Sequence, residues 1–132
     1  MFDALGIAGT GLYAHRKWLD AVSDNIANIN TASSADGPAF QEKFVVAQAA
    51  NYGSGDGGVR VTGSKLGSSE GRLVYEPTNP LANSDGYVRY PDIDLGDQMS
   101  ALMMAQRGYQ ANLSSIERAT DAYKAALNLG KG

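Results

Sequence analysis

Four short stretches of this chain carry side chains whose types and spacing could do chemistry. Asp92, Asp94 and Asp97 in "PDIDLGD" put three carboxylates within six residues, enough to start a calcium loop. Ile93 and Leu95 intervene, however, and no closing glutamate follows at the required distance. Helix capping explains the acids more simply: Asp94 as N-cap, with Asp97 in the first turn, where the helix dipole favours negative charge. "GSGDGG", Gly53 to Gly58, has the glycines of a phosphate loop but no Lys-Ser/Thr pair. The "VRVTG" after it reads as a strand rather than a helix, so a flexible turn is expected. The only histidine, His15, stands on an apolar helical seam, as a buried pH switch or as a polar interruption of a heptad. No partner lies at triad or metal-site spacing from it. "NLS" at Asn112 is formally a glycosylation sequon, but it falls inside a helical pattern with Leu113 on the seam, so the match reads as accidental.

No cysteine is present, which removes disulfides, thiolate catalysis and cysteine–zinc sites together. The expectation is therefore a protein that is not an enzyme, with no catalytic, cofactor or metal site. With 132 residues, 43% of them hydrophobic, the chain suits one domain. A net charge of −3 with both signs scattered offers no basic stripe for nucleic acid. No apolar run approaches the roughly 18 residues that would suggest membrane insertion. The opening "MFDALGIAGTGL" lacks a basic region and is broken by Asp3, Gly6, Gly9 and Gly11, so it does not read as a secretory signal. The expected alternatives are a cytoplasmic protein or one exported by a route that reads an uncleaved N-terminus.

The elements follow from periodicity. In residues 1–31, Leu5, Ala8, Leu12, Leu19, Val22, Ile26 and Ile29 recur at steps of three and four, with His15 filling the missing place. This predicts a helix from about Asp3 to Ile29, with Asn30 as a left-handed cap before Thr31. Asn25 and Asn28 share a face that on a lone helix meets water, and that would fix where the helix stops against a neighbouring subunit. In residues 94–132 a second seam runs through Leu95, Met99, Leu102, Tyr109, Leu113, Ile116, Tyr123 and Leu127, ending at Gly130. Gly108 interrupts it at a cost of about 1 kcal/mol in helix propensity. Residues 32–93 read as strands and turns, with strands at 40–47, 59–62, 72–75 and 87–90. The fold expected is mainly α with a small β insert: long N- and C-terminal helices pair as an antiparallel coiled coil around a short, β-hairpin-rich middle segment. One such pair cannot hide both seams together with Phe2, Ile7, Trp18, Met103 and Met104, so helices of other subunits are expected to cover the surplus.

The motifs resemble those of the bacterial flagellar rod and hook proteins along nearly the whole chain. "LGIAGTGL" (Leu5 to Leu12) resembles the family's opening, and "SDNIANINT", with Asn25, Asn28, Asn30 and Thr31, resembles its asparagine-rich helix end. Gly37, Pro38 and Phe40 before Lys43, Val45 and Val46 resemble the next step, and "GVRV" (Gly58 to Val61) the strand after it. "LVYEPTNPLA", with Tyr75, Pro77 and Pro80, then Gly86, Tyr87 and Pro91, resembles a segment of the proximal rod type. "RGYQAN", with Arg107, Tyr109 and Asn112, resembles the C-terminal helix signature. There are departures. Asp92 stands where the family usually has asparagine, Gln98 where glutamate commonly precedes the methionine, and His15 where small or amide residues are common.

The resemblance implies a structural subunit exported unfolded, without cleavage, through the flagellar type III export apparatus. Such a subunit polymerises through its terminal helices, with other copies of itself and other rod proteins, into the torque-carrying rod of the basal body in the periplasm. The competing expectations are another rod subunit of the same family, or a cytoplasmic coiled-coil adaptor or secretion chaperone.

Overall fold

The computed structural model describes residues 2–51 and 57–132. In chain order its elements are α1 (Phe2–Ala27), β1 (Ser33–Ser34), β2 (Lys43–Ala49), β3 (Val59–Leu66), β4 (Arg72–Tyr75), β5 (Tyr87–Tyr90) and α2 (Leu95–Gly130). The protein is thus two long helices with a few antiparallel strands between them, mainly helical with a small β part.

The helix ends are set by local polar chemistry. At the start of α2 the Asp94 carboxylate accepts from the Asp97 amide at 2.8 Å, the N-cap expected from the sequence. The far end falls at Gly130, where it was expected, but not through a left-handed glycine: Lys131 caps the helix in the right-handed conformation, donating to the Asn128 carbonyl. Among the described residues no side-chain-bearing residue has positive φ, so Asn30 is not a left-handed cap. Instead α1 unwinds through tight turns. The Asn28 amide nitrogen donates to the Asp24 carbonyl at 2.8 Å, and Thr31 donates its backbone N–H to the Asn28 carbonyl at 3.0 Å. One asparagine side chain and short backbone bonds spanning three residues thus satisfy the last carbonyls without glycine.

β2 and β3 form an antiparallel hairpin running from Lys43↔Leu66 to Ala49↔Val59, with an irregularity between Val46 and Ala47. Both strands run beyond their expected ends, to Ala49 and Leu66, while β2 begins at Lys43 rather than Phe40. Of the "GSGDGG" turn, Gly53 to Asp56 lie outside the described residues; Gly57 and Gly58 lead into β3. β4 and β5 match the expected spans, and the two-residue β1 was not expected. These three form a separate sheet in the order β1-β5-β4.

That sheet is held by its own devices. Val88 at its centre is fully buried. Gly71 (φ +57°) sits where an added Cβ would lie 2.1 Å from the Tyr90 carbonyl oxygen, so only glycine fits there. In the β4–β5 connection the Asn83 side-chain oxygen accepts from the Asp85 and Tyr87 amides at 3.1 and 2.9 Å. Arg89 spans the sheet edge, donating to the carbonyls of Ala35 and Glu70. No strand of this sheet comes beside either helix. The β2–β3 hairpin does: it lies along α1, which also packs against α2.

Candidate assembly interface

Two contact regions fix α2 on α1, and a third surface remains open. The first is a polar node where the end of α1, the start of β2 and the first turn of α2 meet. Asn25, only 1% exposed, grips the backbone of Lys43 as a neighbouring strand would. Its oxygen accepts from Lys43 N–H at 2.8 Å, and its nitrogen donates to Lys43 C=O at 3.0 Å. The second amide hydrogen goes to the Gln98 side-chain oxygen at 3.0 Å, and Gln98, itself buried, passes its own N–H to the Glu42 carboxylate. Asn25 is therefore saturated within its own chain and does not present its face to water, as a lone helix would require. Asn28 turns to Asp24 and Thr31, also inside the chain. Lys43 adds an ion pair to Asp24 at the rim.

The second region is a reciprocal clasp about three turns further along. His15 seats over Gly108, where an added Cβ would lie 2.2 Å from the imidazole ring; Asn112 seats over Gly11, where an added Cβ would lie 2.5 Å from the amide oxygen. Each knob is anchored to its own helix at the glycine four residues before it. His15 Nδ1 lies 2.8 Å from the Gly11 carbonyl, and Asn112 Nδ2 donates to the Gly108 carbonyl at 2.8 Å. His15 Nδ1 also lies 3.2 Å from Asn112 Nδ2, so the two knobs touch each other as well; the carbonyl only accepts and the amide nitrogen only donates, so either tautomer serves one of the two contacts. Gly108, which looks in the sequence like a weak point of the helix, is the hole that lets the helices approach here.

The third surface is the apolar seam. The α2 face against α1 carries Gln98, Ala101, Ala105, Gly108 and Asn112, and Ala105 is fully buried. The expected seam lies one residue to the side, about 100° round the helix. Along it Leu95, Met99, Leu113, Tyr123 and Leu127 are exposed, and Leu102, Tyr109 and Ile116 half-buried. On α1, Val22 is buried at 3% exposure, while Leu5, Leu12, Leu19 and Ile26 are half-buried; Ile29 is half-buried too but lies in the turn beyond Ala27, where the helix stops short of its expected end. Arg107 is exposed, and so is every residue of α2 from Asp121 on, Leu129 at 84%. In the sheet, Tyr75, Pro77, Pro80 and Tyr87 are exposed, with Gly86 and Pro91 buried.

Gln98, Glu42 and Gly11 were not singled out in the sequence as contact residues. Only Gln98 carried a signal, an amide where a carboxylate is common. A carboxylate there could not donate to Glu42. Among the described residues no cluster of histidine, aspartate or glutamate could hold a metal ion, and no helix is long and apolar enough to cross a membrane.

These features of the helical ends coincide with two family models. Residues 5–32 match the flagella basal body rod protein model, and residues 84–129 match the flagellar basal body rod FlgEFG protein C-terminal model. The chain is 36% identical to the flagellar basal-body rod protein FlgC of Salmonella typhimurium over 99% of its own length and 98% of the relative's. It is 33% identical to the protein of that name from Bacillus subtilis, covering 98% of each. With the Borreliella burgdorferi protein the identity is 31%, covering 100% of this chain and 99% of that one. The chain belongs to the flagellar basal-body rod protein family and is of the FlgC type. It is a structural component of the flagellar basal body, not an enzyme.

Proposed function

We propose that this chain is a subunit of the proximal rod, the drive shaft that carries torque from motor to hook. It is exported unfolded through the flagellar type III apparatus without cleavage and reaches the rod in the periplasm. There it polymerises through its terminal helices with copies of itself and with other rod proteins. Residues 1–31 and 94–132 act as the assembly helices, pairing as an antiparallel coiled coil, and residues 32–93 lie outward. The observation that carries this reading is the α2 seam. A helix whose small residues meet its own partner, while Leu95, Met99, Leu113 and Leu127 face away, has a second apolar face for a neighbour. The contacts along α1 fit the pairing: Gly11, His15 and Asn25 meet Asn112, Gly108 and Gln98, descending on α2 as they climb α1.

Folding coupled to assembly follows. Ordering a residue costs about 1–2 kcal/mol, and burial returns roughly 25 cal/mol per Å², so the open seam is stabilised only when several helices pack. The test is to isolate basal bodies from a motile strain carrying a tagged chain and ask whether the chain is in the rod. Recovery from the cytosol alone would sink the assignment. Amide exchange on the dilute monomer separates a rod subunit from a self-sufficient adaptor. Protection should be highest around Asn25 and Gln98 and lost along the end of α2; uniform protection through residue 130 contradicts the proposal.

A further inference from the structure

We propose that the His15–Gly108 and Asn112–Gly11 contacts form a register key, the device that decides where α2 sits along α1 and hence which side of α2 remains open. Apolar seams made of leucine, methionine and tyrosine specify register weakly, because one heptad slides onto the next with little change in burial. The clasp does not slide. His15 is placed with Nδ1 2.8 Å from the Gly11 carbonyl of its own helix and 3.2 Å from Asn112 Nδ2, so its ring projects in one direction and needs a residue without a side chain opposite. A slide of one heptad would put Ala101 or Ser115 there, each with a Cβ. The other glycines of α2, Gly96 and Gly130, stand 12 and 22 residues from Gly108. Seating His15 over Gly96 would carry Asn25 past the start of the helix and lose its bond to Gln98. Asn112 imposes the same condition from the other helix, since it needs Gly11 and is tied to the Gly108 carbonyl. Two knobs and two holes, each knob anchored to the hole beside it, are satisfied together in one register only.

The consequence rests on the proposed assembly: with the register fixed, Leu113 and its neighbours are offered outward at a defined height, and neighbouring subunits meet the same surface in every copy. The test uses the full chain. Its lack of cysteine allows a clean cross-link between Val22→Cys and Ala101→Cys, which line one groove in the native register. The parent should form this cross-link under mild oxidation. Gly108→Ala should lose it, and should fail to restore swimming to a strain lacking its own copy. Adding His15→Ala to Gly108→Ala should restore both, because the ring that met the new Cβ is gone. Retention of the cross-link and of swimming in Gly108→Ala overturns the proposal. So does a double variant as defective as Gly108→Ala alone. The cross-link is read on purified protein, so a chain that shows the expected pattern but never supports swimming refutes the rod assignment and leaves the key standing.

Discussion

The two helices look alike in the sequence and are treated differently by the fold. α1 packs against both α2 and the β2–β3 hairpin; it buries Val22, Asn25 and Ala14, and β3 reaches it through Val59 N–H donating to the Thr10 hydroxyl at 3.1 Å. α2 is ten residues longer, packs along α1 and meets the start of β2 only through its first turns at the node, and buries only Gln98 and Ala105. α1 is thus largely completed by its own chain, while α2 is bound along a narrow stripe of small and amide residues. The strength of the apolar seam does not distinguish them. Side-chain size does, because close approach selects alanine and glycine and leaves the larger residues to the side.

A charge placed on each helix should break this comparison most sharply. Val22→Asp puts a carboxylate into the α1 contact with no partner, a loss of about 3–5 kcal/mol by the usual cost of an uncompensated buried charge. A thermal melt should show the isolated chain destabilised or unfolded. Leu113→Asp puts the same carboxylate on the open seam, at a residue 38% exposed. The isolated chain should lose about 1–2 kcal/mol, from partial apolar burial and helix propensity, and stay folded. Swimming should nevertheless be abolished, because in the proposed rod that carboxylate meets an apolar neighbour. If Leu113→Asp swims, the open seam is not an assembly face. If it unfolds the monomer, the contrast between the helices is wrong.

Asn25→Ala comes next. It strips three hydrogen bonds from the node and leaves Lys43 N–H, Lys43 C=O and the Gln98 oxygen without their partner. Orphaned buried groups cost about 1–3 kcal/mol each, less where water reaches them, so a loss of roughly 2–4 kcal/mol is expected in denaturant titrations. Asn25→Asp should be as damaging, since a carboxylate cannot donate to either carbonyl. Asn28→Ala removes bonds that lie within one turn and should cost about 1 kcal/mol or less. Equal effects at the two positions would return both asparagines to simple capping.

How much of this was legible depends on the range of the interaction. β4 and β5 were readable because Arg72–Tyr75 and Tyr87–Tyr90 are short β-prone runs bounded by turn residues. β3 runs past Thr62 because Gly63, Ser64 and Lys65 are polar or small and give no strand signal alone; pairing with Phe44 to Val46 carries them, and Leu66 follows opposite Lys43. β1 is two serines recruited by Arg89 and Val88, visible only once β5 exists. The seam on α2 was read from its large residues, which are where periodicity is loudest, yet the contact with α1 uses Ala101, Ala105 and Gly108 beside them. The node and the clasp join residues 73 and 97 apart in sequence, and no local pattern announces such pairs.

The smaller predictions probe regions that the helix comparison leaves untouched. Asp94→Ala removes the α2 N-cap and should cost about 1 kcal/mol, read as a lower unfolding midpoint. Tyr90→Phe acts through pH. The Tyr90 hydroxyl donates to the Glu76 carboxylate at 3.0 Å, and this bond, with a contribution from desolvation, raises the phenol above its ordinary value, while Arg72 over the ring opposes the shift. A group whose folded value is raised favours the protonated form in the folded state. Its contribution is whole below the unfolded value, declines once pH passes the ordinary phenol range, and is gone when the folded value is passed. The parent should therefore lose stability on the alkaline limb more steeply than Tyr90→Phe, with the two running parallel at neutral pH. Neither helix contacts this sheet, so the same substitution should leave the Val22–Ala101 cross-link unchanged at neutral pH. A Tyr90→Phe chain that lost the cross-link there would mean that the sheet and the helices are coupled after all.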